Sequence, residues 1–164
     1  MGVPVPTVLT SEPPPTYTLL APACERAPKV CRELVRGVLV SFGLAELIDK
    51  AILCVSELVT NVHQHAKGDL QLTVTVYETC VRVAVRDEGQ LLPAPRHANA
   101  RDTEGRGLFL VTAMSDACGL VSGTLAGGDG KSVWFDLAIP PGRRWPGRAS
   151  GPVPTSPGDG GGTP

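Results

Sequence analysis

Between Leu44 and Ala66 the apolar residues Ile48, Ile52, Val55, Val59, Val62 and Ala66 recur at spacings of 4, 3, 4, 3 and 4, the pattern of a helix with one apolar face. Such a face has to be covered by something. Gly68 ends the helix, and the period then changes: Leu70, Leu72, Val74 and Val76 alternate with Gln71, Thr73 and Thr75 out to Tyr77, which predicts a half-buried strand. After a turn at Glu78 and Thr79 the alternation resumes at Val81, Val83 and Val85, so the two strands form a hairpin that ends in Arg86-Asp87-Glu88-Gly89. A long amphipathic helix beside a half-apolar hairpin predicts helices packed on a sheet.

The flanking segments extend this plan. Tyr17 to Leu20 reads as a short strand, and Glu25 to Phe42 as a helix with Val30, Leu34, Val38 and Phe42 on one face and Pro28 in its first turn. From Gln90 to Arg106 there is no periodicity, which inside a compact domain marks a functional loop, read here as a lid. Gly107 to Cys118 predicts a helix, Leu120 to Leu125 a strand, Gly127-Gly128-Asp129-Gly130 a turn, and Ser132 to Ile139 a last strand. The order β, α, α, β, β, loop, α, β, β predicts a two-layer α/β sandwich: a mixed, mostly antiparallel sheet with three helices on one face. Residues 140–164 hold seven Gly and seven Pro, and the first fifteen residues hold five Pro. Disorder is therefore expected over 1–15 and 141–164, with one folded domain over 16–140.

Net charge is −1 at pH 7 with a pI near 6.3, so no global basic field points to nucleic acid or an anionic membrane. The five cysteines are odd in number and form no C-x-x-C pair; they read as small buried hydrophobes in a reducing compartment. The leader lacks a basic segment, Pro interrupts its apolar stretches, and no run approaches about 18 apolar residues. A cytoplasmic protein is the expectation.

Three polar constellations interrupt the apolar pattern. On the long helix, Glu57, Asn61 and His65 share one stripe beside the apolar face; Asn is a weak helix former, and its amide oxygen is a hard ligand suited to Mg²⁺ alongside phosphate. Asp87 and Gly89 stand where a strand leaves the sheet, and an ionised carboxylate there is an acceptor for an amino group such as that of adenine. Gly105-Arg106-Gly107-Leu108 puts two glycines at a helix entrance, where backbone N–H groups and the helix dipole favour an anion. Each motif alone has a bland counterpart: a solvated helix face, a simple turn, a loop glycine. Two further features are decoys. Gly128-Asp129-Gly130-Lys131-Ser132 resembles the end of a P-loop, but Leu125 replaces the first glycine and a strand follows. His63 and His65 point about 200° apart on a helix and cannot share an ion. Met114, Phe109 and Trp134 read as core packing.

Taken in order, the segments SELVTNVHQHA (Ser56 to Ala66), VRDEG (Val85 to Gly89), GRGLFLV (Gly105 to Val111) and GKSVWFDL (Gly130 to Leu137) resemble the GHKL ATPase superfamily. The resemblance is nearest to the bacterial anti-sigma-factor serine/threonine kinases and covers roughly Tyr17 to Pro140. It implies a Bergerat-type fold with an ATP lid, and ATP with Mg²⁺ as cofactors. By position, Asn61 would hold the metal across the phosphates and Glu57 would be the catalytic base. Asp87 would bind the adenine amino group, Gly89 would turn the chain beneath the base, and Ser132 would help hold it. Gly105, Arg106, Gly107 and Leu108 would form the phosphate-facing end of the lid. One departure is Leu91, where the family often has a second glycine. The implied function is phosphorylation of an anti-anti-sigma (STAS-type) partner and sequestration of a sigma factor, with a homodimer as a common arrangement. The alternative is a non-catalytic ATP-binding interaction module that sequesters a sigma factor or other regulator.

Overall fold

The computed structural model describes residues 13–66, 68–89, 106–125 and 128–143. Its elements are β1 (Thr16–Pro22), α1 (Ala27–Ser41), a 3₁₀ turn (Ala45–Leu47), α2 (Ile48–His65), β2 (Asp69–Val76), β3 (Cys80–Asp87), α3 (Arg106–Met114), β4 (Ala117–Leu125) and β5 (Gly128–Ala138). The strands form one sheet in the order β1-β2-β3-β5-β4, and all four pairings are antiparallel. Of the lid expected from Gln90 to Arg106, residues 90–105 lie outside the described residues, as do 1–12 and 144–164, while Arg106 opens α3. The described chain is tied down at both its ends: the Pro15 carbonyl accepts the Val76 N–H at 3.0 Å, and the Arg143 guanidinium binds the Gly43 carbonyl and Glu46.

Alternation along the strands sends Leu70, Leu72, Val74, Val76, Val81, Val83, Val85, Phe135 and Leu137 to one face, where they meet α1, α2 and Val111 of α3. α2 behaves as its spacing predicts. Ile48, Val55, Val59 and Val62 are buried, Ile52 and Ala66 pack at the margin, and Ala51, Cys54 and Leu58 widen the stripe. Glu78 and Thr79 close the β2–β3 hairpin, with the Tyr77 N–H donating to the Cys80 carbonyl at 2.8 Å. Cys31 and Cys54 are wholly buried, and burial pushes both thiols up to about 11, so they pack as protonated small hydrophobes.

Several local expectations are corrected. α1 buries Ala27, Cys31, Val35, Val38 and Leu39, whereas Val30 is 47% exposed. Of the expected face Val38 is buried and Leu34 and Phe42 pack at the core's margin, so the packed stripe is rotated by about 50° from the expected one, with Ala27, Cys31, Val35 and Leu39 joining Val38 on it. α3 stops at Met114 instead of reaching Cys118. Asp116 redirects the chain there: its N–H donates to the Asp136 carbonyl at 2.9 Å and its carboxylate accepts the Ala138 N–H at 2.8 Å. Cys118 therefore lies on β4 opposite Phe135. Gly128 to Gly130 belong to β5 because the β4 ladder continues to Gly128, leaving no P-loop geometry.

Two aromatics are not core. Phe109 is 76% exposed on α3. Trp134 stands on the sheet face away from the helices, beneath the Arg82 guanidinium at 4.0 Å from its ring, and Arg82 is also bidentate to Asp136 at 2.7 and 2.8 Å. Gly119 admits the indole from β4, since a Cβ there would lie 2.7 Å from it. This outer-face stack ties β3, β5 and β4 together. No described helix is long and apolar enough to cross a membrane.

Candidate functional site

Glu57 and Asn61 sit one turn apart on α2, half-buried beside the buried Leu58, Val59 and Val62. The first turn of α3 rests on them. Gly107 is buried, and a Cβ at that position would stand 2.7 Å from Glu57 Oε2, 3.3 Å from Asn61 Nδ2 and 3.4 Å from Glu57 Cβ. A side chain there would displace the carboxylate, so glycine lets the Glu57 carboxylate lie directly against the start of α3. The positive end of the α3 dipole consequently lies against an acid and an amide, an environment that stabilises negative charge. Leu108 follows, half-buried, while Gly105 lies outside the described residues and Arg106 opens the helix. His65, third on the expected stripe, is exposed; Nδ1 of His63 is 3.3 Å from the Ala23 carbonyl. Among the described residues no group of three His, Cys, Asp or Glu is placed to hold a metal.

The other half of the site lies where β3 ends. Asp87 is 3% exposed, its Oδ1 accepting the Gly89 N–H at 2.7 Å and lying 3.7 Å from Lys131 Nζ. Gly89 is required by close approach, because a Cβ would fall 2.6 Å from that same oxygen and 3.5 Å from Cβ of Ala66, the residue following α2. Gly130 is required likewise, a Cβ there lying 2.5 Å from the Asp87 carbonyl oxygen. Nine residue steps, Glu57 to Ala66 along α2 and its exit, thus connect the two halves, about 14 Å at 1.5 Å per residue. The arrangement suits an elongated ligand with an amino group at one end and anionic oxygens at the other.

Register separates Ser132 from this group. Ser132 pairs with Arg86 and so faces away from the helices, whereas Lys131 pairs with Asp87 on the helix side. Directly opposed residues share a face, so the residue of β5 beside Asp87 is Lys131. In the sequence Lys131 falls within the P-loop decoy and the GKSVWFDL segment with no role of its own; the signal that would have found it is the β3–β5 register, set between strands some forty residues apart.

A model of the histidine kinase-like ATPase domain matches residues 20–136, from β1 into β5, and therefore includes both halves of the site. The chain belongs to the histidine kinase-like ATPase family. No curated protein matches it. Domains of this family bind ATP, usually with Mg²⁺. The residues present fit that ligand: Asn61 carries a neutral hard oxygen, the first turn of α3 lies beside it at Gly107, and Asp87 is a buried acceptor. In this histidine kinase-like ATPase domain the glycines are thus explained by contacts: Gly107 admits the Glu57 carboxylate to the start of α3, and Gly89 and Gly130 bring backbone close to Asp87.

Proposed function

We propose that this domain is an ATP-binding regulator that phosphorylates a Ser or Thr of a STAS-type anti-anti-sigma partner and sequesters a sigma factor when that partner is absent. The observation that carries the reading is the Glu57 carboxylate, held one turn from Asn61 under the first turn of α3. A pure binding module has no use for a base beside a phosphate site. Bound MgATP supplies the transferable γ-phosphoryl group. Asn61 would hold Mg²⁺ through its amide oxygen, and the N–H groups opening α3 would face the phosphates. Asp87 would accept the N6–H of adenine, with Gly89 keeping the chain clear of the base. Glu57 would take the proton of the partner's hydroxyl as that oxygen attacks phosphorus and the bond to the ADP leaving group breaks.

Labelled MgATP mixed with the full chain and a STAS-type protein that binds it is expected to place label on a Ser or Thr of that protein. Binding without label overturns the kinase reading and leaves sequestration. Nucleotide binding is checked separately. At about 100 times Kd, MgATP contributes about 2.7 kcal/mol, worth on the order of 10 °C in Tm for a domain of this size. Asn61→Ala is expected to retain a shift with ATP that no longer depends on magnesium; an unchanged magnesium dependence would remove Asn61 from the metal site.

A further inference from the structure

Beside Asp87 the sheet carries a second charged group that the family reading does not use. Lys131 is 9% exposed, and its Nζ lies 3.7 Å from Asp87 Oδ1. That separation keeps the ammonium within ion-pair range but beyond hydrogen-bond distance, while Oδ1 is engaged by the Gly89 N–H at 2.7 Å. Both side chains project to the helix side at the end of β3, and the Gly89 backbone passes close to both, a Cβ there falling 2.6 Å from Oδ1 and 3.7 Å from Nζ. The end of the sheet therefore presents an acceptor and a donor side by side.

Adenine carries the complementary pair on one edge: N6 donates, N1 accepts, and a single ring carbon separates them. We infer that Lys131 reads the base, donating from Nζ to adenine N1 while Asp87 accepts from N6. The inference rests on the nucleotide-binding reading above. An ammonium has three N–H donors, so attraction to Asp87 and donation to the base are compatible. The assignment also explains why a long cation stands at a position that strand alternation turns toward the core, where Val133, Phe135 and Leu137 follow at every second residue. A serine at 132 cannot take this role, because its register directs it to the opposite face.

The test compares ADP with 1-deaza-ADP, in which carbon replaces N1, by calorimetric titration of the full chain. Loss of a hydrogen bond to a charged donor is expected to weaken binding about ten- to hundredfold. Lys131→Met is expected to weaken ADP by the same factor, leave 1-deaza-ADP unchanged, and so bring the ratio to about one. A merely structural lysine would lower both ligands together and keep the ratio. Equal affinity of wild type for the two ligands overturns the inference even if Lys131→Met fails to fold, and so does a ratio that survives the substitution. Absence of binding by either nucleotide sinks the nucleotide reading itself, an outcome distinct from ADP binding without discrimination.

Discussion

Glu57→Ala is expected to lower phosphotransfer to the bound partner by about 10²–10⁴-fold while leaving MgATP affinity nearly unchanged. A general base acts as the proton leaves in the transition state, so its removal costs rate and spares ground-state binding. The structure supports a clean substitution. Glu57 is half-buried at the edge of the α2 stripe, none of the core depends on it, and its carboxylate lies against the first turn of α3 at Gly107. Glu57→Gln keeps the packing and removes the basicity, and is expected to fall as far as alanine. Rates are compared under single turnover with labelled ATP, and affinity by titration. A parallel fall in affinity would make Glu57 a binding residue, and unchanged rates would remove it from the chemistry.

The second large effect is on the Asp87–Lys131 pair. Asp87→Ala removes the carboxylate beside a mostly buried ammonium and takes the acceptor from the Gly89 N–H; breaking one side of such a pair costs about 3–5 kcal/mol, on the order of 10–20 °C in Tm for a domain of this size. Adenine nucleotide binding is expected to be lost as well. The double variant Asp87→Ala with Lys131→Met separates the two consequences. It removes the uncompensated charge and should recover much of the stability, since apolar replacement of a buried ion pair is often neutral, yet it should not recover binding. Denaturant titration of the four proteins gives the coupling energy. Strict additivity would show that the two groups do not interact, and would undercut the shared pocket.

Local sequence was enough for the elements whose period is unambiguous. The α2 stripe and the β2–β3 hairpin were legible because the large apolar residues in them, Leu53 apart, obey one period and a glycine or a short polar turn closes each. α1 was legible as a helix but not in its rotation. The expected and the packed stripes share Val38 and lie about 50° apart, and only packing beside α2 and β1 brings Cys31 and Val35 to the centre. The end of α3 was missed because its stop is made by long-range bonds from Asp116 to Asp136 and Ala138, which no local signal announces.

The candidate site divides in the same way. By itself the sequence determined which chemical groups exist and which are local neighbours: Glu57 and Asn61 one turn apart on a helix, Asp87 two residues before a glycine, a glycine at the start of α3. Those follow from helical period and turn chemistry, which act over a few residues. Only the tertiary structure decided that Gly107 rests on Glu57, that Gly89 closes against the exit of α2 at Ala66, and that Lys131 rather than Ser132 stands beside Asp87. The physical reason is the two-residue period of a strand. A register between β3 and β5, set by the burial of Val83, Val85, Phe135 and Leu137 together, assigns every β5 side chain to one face or the other, and a slip of one residue would exchange lysine for serine beside the acid.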